Sequence, residues 1–122
     1  MTPTAAQPLR SIEFEILLTL ADGERHGYAI IQEIEARADG ALRLETGTLY
    51  RALRRLVADG LAKPTARRPH AETPAGTSDD ERRRYYAITP AGRQAATAEA
   101  TRLARLVSAA RAAKLLTKPN KA

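Results

Sequence analysis

The sequence predicts a mainly α-helical domain in which three helices are followed by a β-hairpin and one long terminal helix. Apolar residues recur at helical spacing in three segments before residue 60. Two short stretches that can form strands then flank a polar loop, and a helical pattern resumes at Pro90. This order is that of a winged helix-turn-helix with a β-hairpin wing, extended here by a long C-terminal dimerisation helix.

Length and composition fit one such domain. The chain has 122 residues, of which 43% are hydrophobic and 4% aromatic, so Leu, Ile, Val and Ala must form most of the core. A chain this short buries a limited fraction of its surface, and pairing with a second copy would add burial. We predict a disordered tail (1–8), a winged-helix DNA-binding domain (9–89), a C-terminal dimerisation helix (90–116) and a frayed tail (117–122).

The first helix, from Ser11, carries apolar residues on two sides. One stripe consists of Phe14, Leu17, Leu18 and Ala21. The other stripe consists of Ile12, Ile16 and Leu20. A short helix that is apolar on two sides is expected to be buried on both. We therefore predict that one side faces the domain and assign Ile12, Ile16 and Leu20 to a subunit contact.

A second helix is predicted from Gly27 to Ala38, and a third over 46–58, where Thr46 is expected to be the N-cap. The third helix has the clearest apolar stripe, formed by Leu49, Ala52, Leu53, Leu56 and Val57. Its other face is small and basic, as a helix that enters the major groove of DNA requires. The DNA-binding candidates on it are Thr46, Gly47, Thr48, Tyr50, Arg51, Arg54 and Arg55. The alternative is an arginine-rich face that only meets solvent.

Residues 61–89 are predicted to form a hairpin, the wing, with strands over 61–67 and 83–89 around a long polar loop, 68–82. Its arms carry further DNA-binding candidates, expected on the DNA backbone or in the minor groove: Lys63, Arg67, Arg82, Arg83 and Arg84. Alternatively, these residues pair with the acidic residues 79–81. By strand alternation, one of Tyr85 and Tyr86 should point inward and the other outward.

The last helix is predicted to start at Pro90, with Thr89 as its cap, and to run to about Leu116. Small and apolar residues recur along it every seven residues, a spacing that suits packing on another helix. The dimerisation candidates on this helix are Ala96, Leu103, Leu106, Val107 and Ala110.

Charge and the rarer residue types narrow the function. Lys and Arg number 20 against 14 Asp and Glu, a net charge of +6 that predicts a polyanionic partner. Without cysteine, and with His26 and His70 far apart, we expect no catalytic site, metal site or cofactor. The longest apolar run is too short for a membrane helix, and the N-terminus does not read as a signal peptide. These features fit a reducing cytoplasm.

Four segments follow one another along the chain: His26-Gly27-Tyr28, the run 47–53, Gly60-Leu61 and the run 84–93. In this order and spacing they resemble PadR-type transcriptional regulators, in particular the small subfamily with a single C-terminal helix. The resemblance implies a winged helix, dimerisation through the first and last helices, and repression that a small molecule relieves. Two recognition helices held in a dimer would read a palindromic DNA operator. Tyr28, which opens the second helix, joins the DNA-binding candidates.

The sequence departs from the family pattern in two places. The wing loop 68–82 is long, and no tryptophan is present, so a site that stacks planar drugs on tryptophan is not expected. A small apolar effector between Leu and Val side chains at the dimer interface remains compatible with the sequence. The alternative function is a winged-helix module that binds other proteins and not DNA.

Overall fold

The computed structural model describes residues 9–41, 43–65 and 84–116. Its helices are α1 (Ser11–Leu20), α2 (Gly27–Arg37), α3 (Thr46–Ala58) and α4 (Pro90–Ala112), and its strands are β1 (Arg25–His26), β2 (Ala62–Thr65) and β3 (Tyr85–Ile88). The predicted mainly α-helical winged-helix order is therefore confirmed. Both tails, the whole wing loop 68–82 and the candidates Arg67, Arg82 and Arg83 lie outside the described residues. No helix in the described part of the chain is long and apolar enough to cross a membrane.

The sheet has three antiparallel strands in the order β1-β3-β2, so β3 is central. In the register, Arg25 lies opposite Tyr86, and Lys63 opposite Ala87. The sequence did not predict β1, because two residues are too few to show strand alternation. This short strand ties the start of α2 to the wing.

Both tyrosines of β3 are buried, with 7% of Tyr85 and 6% of Tyr86 exposed. The tyrosine that was predicted to point outward is therefore covered as well. Tyr86 packs in the hydrophobic core, while the Tyr85 ring meets the His26 ring edge-on at a centroid distance of 5.3 Å. The face of β3 that was expected to meet solvent is thus covered by the residue that ends β1.

The core lies between α1, α2 and α3. Side chains on these three helices that are at most 1% exposed include Ile16, Leu17, Leu20, Ile30, Ile34, Leu49, Leu53 and Leu56. The stripe predicted on α3 is the face that packs inward, since Ala52 is buried as well and Val57 is half-buried. The opposite face of α3 is left at the surface.

The structure corrects the faces of α1. Ile16 and Leu20, predicted to contact a second subunit, are buried in the core of their own chain, whereas Leu18 is 42% exposed. Ile12 is half-buried and packs against the same core. The two stripes together cover most of a ten-residue helix, so spacing alone could not decide which side faces inward.

Helix α4 begins in close contact with the base of the wing. Thr89 caps it as predicted, because its Oγ1 accepts from the Gly92 N–H at 2.9 Å and donates to the Gly60 carbonyl at 2.7 Å. The N–H of Thr89 also donates to the Leu61 carbonyl at 3.2 Å. The helix ends at Ala112, earlier than the predicted end near Leu116.

Candidate nucleic-acid interface

The outward face of α3 combines small and basic residues. Thr46, Gly47, Arg51 and Arg54 are exposed, and Thr48 and Tyr50 are half-buried. Neither Arg51 nor Arg54 has an ion-pair partner among the described residues. Their guanidinium groups are therefore available to an anion. By contrast, carboxylate or carbonyl oxygens accept hydrogen bonds from Arg25, Arg37, Arg55, Arg93 and Arg102.

The start of α3 differs from the prediction in one detail. Glu45, and not Thr46, is the N-cap residue, with extended backbone angles and no capping hydrogen bond from its side chain. Thr46 is instead the first helical residue, so its exposed hydroxyl lies in the first turn. The backbone N–H groups of that turn and the positive end of the helix dipole favour phosphate at the N-terminus of α3.

Tyr50 lies against the backbone of Gly27, the first residue of α2. A Cβ atom placed at Gly27 would be 1.9 Å from the Tyr50 Oη and 2.5 Å from its Cζ. The contact needs glycine because any side chain would occupy the space of the tyrosine ring. It explains in physical terms why a glycine at the start of α2 accompanies a tyrosine on α3.

We expect Gly27→Ala to displace Tyr50 and to lower the free energy of unfolding by about 1–2 kcal/mol, because overpacking forces neighbouring side chains out of position. Denaturant unfolding measures the change. The control is the same substitution in a Tyr50→Leu background, where the overlap with the hydroxyl and outer ring is gone. An equal loss of stability in both backgrounds would show that the tyrosine is not the cause.

Arg55, predicted to contact DNA, is bound within the chain. Its Nε donates to Glu13 Oε2 on α1 at 2.8 Å, and Glu13 is 7% exposed. The structure therefore separates Arg55 from Arg51 and Arg54, although all three belong to one basic face by spacing. No local pattern could reveal this pair, since its members are 42 residues apart.

The remaining candidates lie at the surface around the sheet. Tyr28 is 49% exposed, and its ring stacks on that of His26 at a centroid distance of 6.5 Å. His26 Nδ1 accepts from the Ala29 N–H at 3.2 Å and so caps α2. Lys63 on β2 and Arg84, which precedes β3, are both exposed.

Comparison with known proteins identifies the family. The profile described as "Transcriptional regulator PadR-like family" matches residues 16–98, from the middle of α1 to the first turns of α4. The chain belongs to the PadR-like family of transcriptional regulators. The match includes α3, both described wing strands and the start of α4.

Similar sequences and structures are consistent with this PadR-like assignment. The chain is 38% identical over 87 residues to transcriptional regulator Rv3488 of Mycobacterium tuberculosis, covering 71% of this chain and 70% of that protein. It is also 41% identical over 91 residues to an uncharacterized 37.1 kDa protein in transposon TN4556 of Streptomyces fradiae, covering 75% of this chain but only 22% of that protein.

Solved structures share the fold at lower identity. A PadR family transcription regulator from Clostridium difficile has a TM-score of 0.63 at 22% identity, over 84% of this chain and 96% of that one. A PadR-like transcriptional regulator from Bacillus cereus has a TM-score of 0.65 at 20% identity, over 88% and 93% of the two chains.

The PadR-like chain carries an apolar surface on the second half of α4, which we call the C-terminal apolar surface: Leu103, Leu106, Val107 and Ala110. Leu106 is 52% and Val107 41% exposed, while Leu103 and Ala110 are half-buried. Ala96, also predicted to be at the dimer contact, instead packs against the core of its own chain. Beyond the helix end, Leu115 and Leu116 are exposed as well.

Proposed function

We propose that this PadR-like regulator is a homodimer that binds a palindromic DNA operator in the cytoplasm and represses transcription until a small apolar molecule binds at the dimer interface. The main support is the outward face of α3, where Arg51 and Arg54 follow the small residues of the first turn. Neither arginine has an ion-pair partner among the described residues. The effector and the direction of regulation are proposed from family membership.

In this proposal α3 enters the major groove, which admits one α-helix. Arg51 and Arg54 are long enough to reach guanine edges or phosphates, and the first turn, with Thr46, Gly47 and Thr48, faces the DNA backbone. Tyr50 contributes its hydroxyl while its ring rests on Gly27. Arg55 contributes less to DNA binding, because its guanidinium is hydrogen-bonded to Glu13.

The wing adds contacts that depend little on sequence. Lys63, Arg84 and the hydroxyl of Tyr28 are at the surface and would meet phosphates. Each chain carries a net charge of +6, so a dimer carries twice that charge toward the DNA. Binding should weaken steeply with salt, because each phosphate contact releases counterions.

Dimerisation would place the two α3 helices about 34–36 Å apart, one turn of B-DNA, so that each reads one half-site. The C-terminal apolar surface supplies the contact, because exposed Leu106 and Val107 gain burial against a second copy. An apolar effector among these side chains would change the spacing of the half-sites. Repression then ends as the DNA-competent arrangement loses population.

The test begins with a duplex selected by the wild-type protein from a random library of about 30 base pairs, long enough for two half-sites. We expect Arg51→Ala to weaken binding to this duplex by about tenfold or more, the scale of one lost base contact. The salt dependence of the affinity should also fall by about one phosphate contact if Arg51 meets the backbone.

The matched control is Arg105→Ala, which removes the same charge from an exposed position on α4. Its effect on affinity is expected to stay within about twofold, because only the net charge changes. Equal losses for the two variants would contradict the assignment of α3 to the major groove. Failure of the wild-type protein to bind any duplex at low salt would overturn DNA binding itself.

A further inference from the structure

Two buried carboxylates on different helices hold the segment that leads into α1. Glu13 and Glu99, 7% and 5% exposed, are the buried charged residues of the described chain. Glu13 Oε1 accepts from the N–H of Arg10 at 3.1 Å. Besides the hydrogen bond from Arg102, hydrogen bonding to the backbone of the adjacent Leu9 helps to lower the pKa of Glu99 on α4. Carboxylates from α1 and α4 therefore act on two consecutive residues.

Each carboxylate also binds an arginine. Glu13 Oε2 accepts from Arg55 Nε on α3 at 2.8 Å, and Glu99 Oε2 accepts from Arg102 Nη2 at 2.5 Å. The hydrogen bond from Arg102 lowers the pKa of Glu99, against the opposite effect of burial, so Glu99 is ionised at neutral pH. Burying a carboxylate costs free energy unless the charge is paired. The two arginine contacts therefore offset the cost of burying Glu13 and Glu99.

We propose that Glu13 is a positioning residue that sets the orientation of α3 on DNA, and that Glu99 supports it through Leu9 and Arg10. We call this connection the carboxylate strap: Arg102, Glu99, Leu9, Arg10, Glu13 and Arg55. This proposal rests on the proposed DNA-binding function. It adds that polar contacts link α4, the helix of the dimer contact, to α3, the recognition helix.

The strap can fix an orientation that the core alone leaves loose. The inner face of α3 is made of Leu and Ala, and apolar packing restrains the roll of a helix only through shape. A charge-assisted hydrogen bond is directional, so the bond from Arg55 to Glu13 restrains the roll of α3 relative to α1. Arg54 is adjacent to Arg55 in the chain, so a roll of α3 changes the direction in which Arg54 points.

The experiment compares the affinities for the selected duplex and for a random-sequence duplex of the same length. The variants are Glu13→Gln, Glu99→Gln and the double substitution. The control is Glu33→Gln, whose carboxylate also pairs with an arginine, Arg25 at 2.7 Å, but lies outside the strap. A protein that is only less stable loses both affinities by one factor, so the ratio of the two affinities reports orientation.

We expect Glu13→Gln to lower this ratio by about tenfold, comparable to the loss of one base contact. Glu99→Gln should lower it less, and the double variant should lose no more than Glu13→Gln, because both residues act through one connection. Glu33→Gln should leave the ratio unchanged within about twofold, since surface pairs contribute little. An unchanged ratio in Glu13→Gln would overturn the proposal.

Amide hydrogen exchange on the free protein gives an independent measurement. Glu99→Gln is expected to speed exchange in the first turn of α1 and in α3, in addition to α4, because the strap transmits the change. Faster exchange confined to α4 and Leu9 would overturn the link. If the wild-type protein discriminates no duplex, the proposed function fails, and the exchange measurement alone decides whether the strap exists.

Discussion

Gly92→Ala is expected to lower the free energy of unfolding by about 3 kcal/mol, the upper end of the cost of overpacking. A Cβ atom at this position would lie 2.0 Å from the carbonyl oxygen of Leu61 and 2.9 Å from Ile88 Cγ1. The Leu61 backbone cannot rotate away, because its carbonyl accepts from Thr89 and its N–H donates to the Leu56 carbonyl. Helix α4 would have to shift from the base of the wing.

Denaturant unfolding followed by circular dichroism measures this change. Gly47→Ala is the matched control, since a Cβ atom there would meet only Arg51 Nη1 at an ordinary 3.5 Å. Alanine is the better helix former by about 1 kcal/mol, so the control should be neutral or stabilising. An unchanged free energy of unfolding in Gly92→Ala would contradict the close packing of α4 against the base of the wing.

Leu106→Asp is expected to produce monomers and to weaken binding to the selected duplex by about a hundredfold or more. A carboxylate at an apolar contact pays the cost of burying a charge, so the dimer should dissociate. A monomer holds one half-site only and loses the gain from binding two linked sites at once, which is about 10²–10⁴. Light scattering gives the mass, and a binding titration gives the affinity.

Ser108→Asp is the control for this prediction. It adds the same charge two residues later, on the far side of α4, where Ser108 is exposed. This variant should remain a dimer with nearly wild-type affinity. A Leu106→Asp protein that stays dimeric would show that the C-terminal apolar surface is not the subunit contact.

The elements that sequence alone predicted well are those whose signal is local. The end of α3 was predicted to the residue and its N-cap to within one residue, because one apolar stripe runs from Leu49 to Val57 and Asp59-Gly60 stops the helix. The start of α4 was equally clear, since Thr89 and Pro90 together form a helix start. The same stripe predicted the basic outward face of α3, because the residues outside the stripe must lie on the opposite side of the helix.

What the sequence could not show depends on distant contacts. The burial of Ile16 and Leu20 depends on which side of α1 the rest of the chain covers. One of Tyr85 and Tyr86 was expected to point outward, yet neither is exposed, and the ring of His26 at the end of β1 covers Tyr85. The bond between Arg55 and Glu13 removes a residue from a basic face that looked uniform along the helix.

The edges of the small sheet bear on how this chain can associate. One edge is β1, with only two residues, and the other is β2, where Lys63 and Pro64 are exposed. Short strands, lysine and proline all discourage a foreign strand from pairing at a sheet edge. Exposed Leu106 and Val107 on α4 create a risk of aggregation, and these edges make aggregation by strand pairing unfavourable. The described sheet edges therefore favour association through helix surfaces, such as the C-terminal apolar surface, over association through strands.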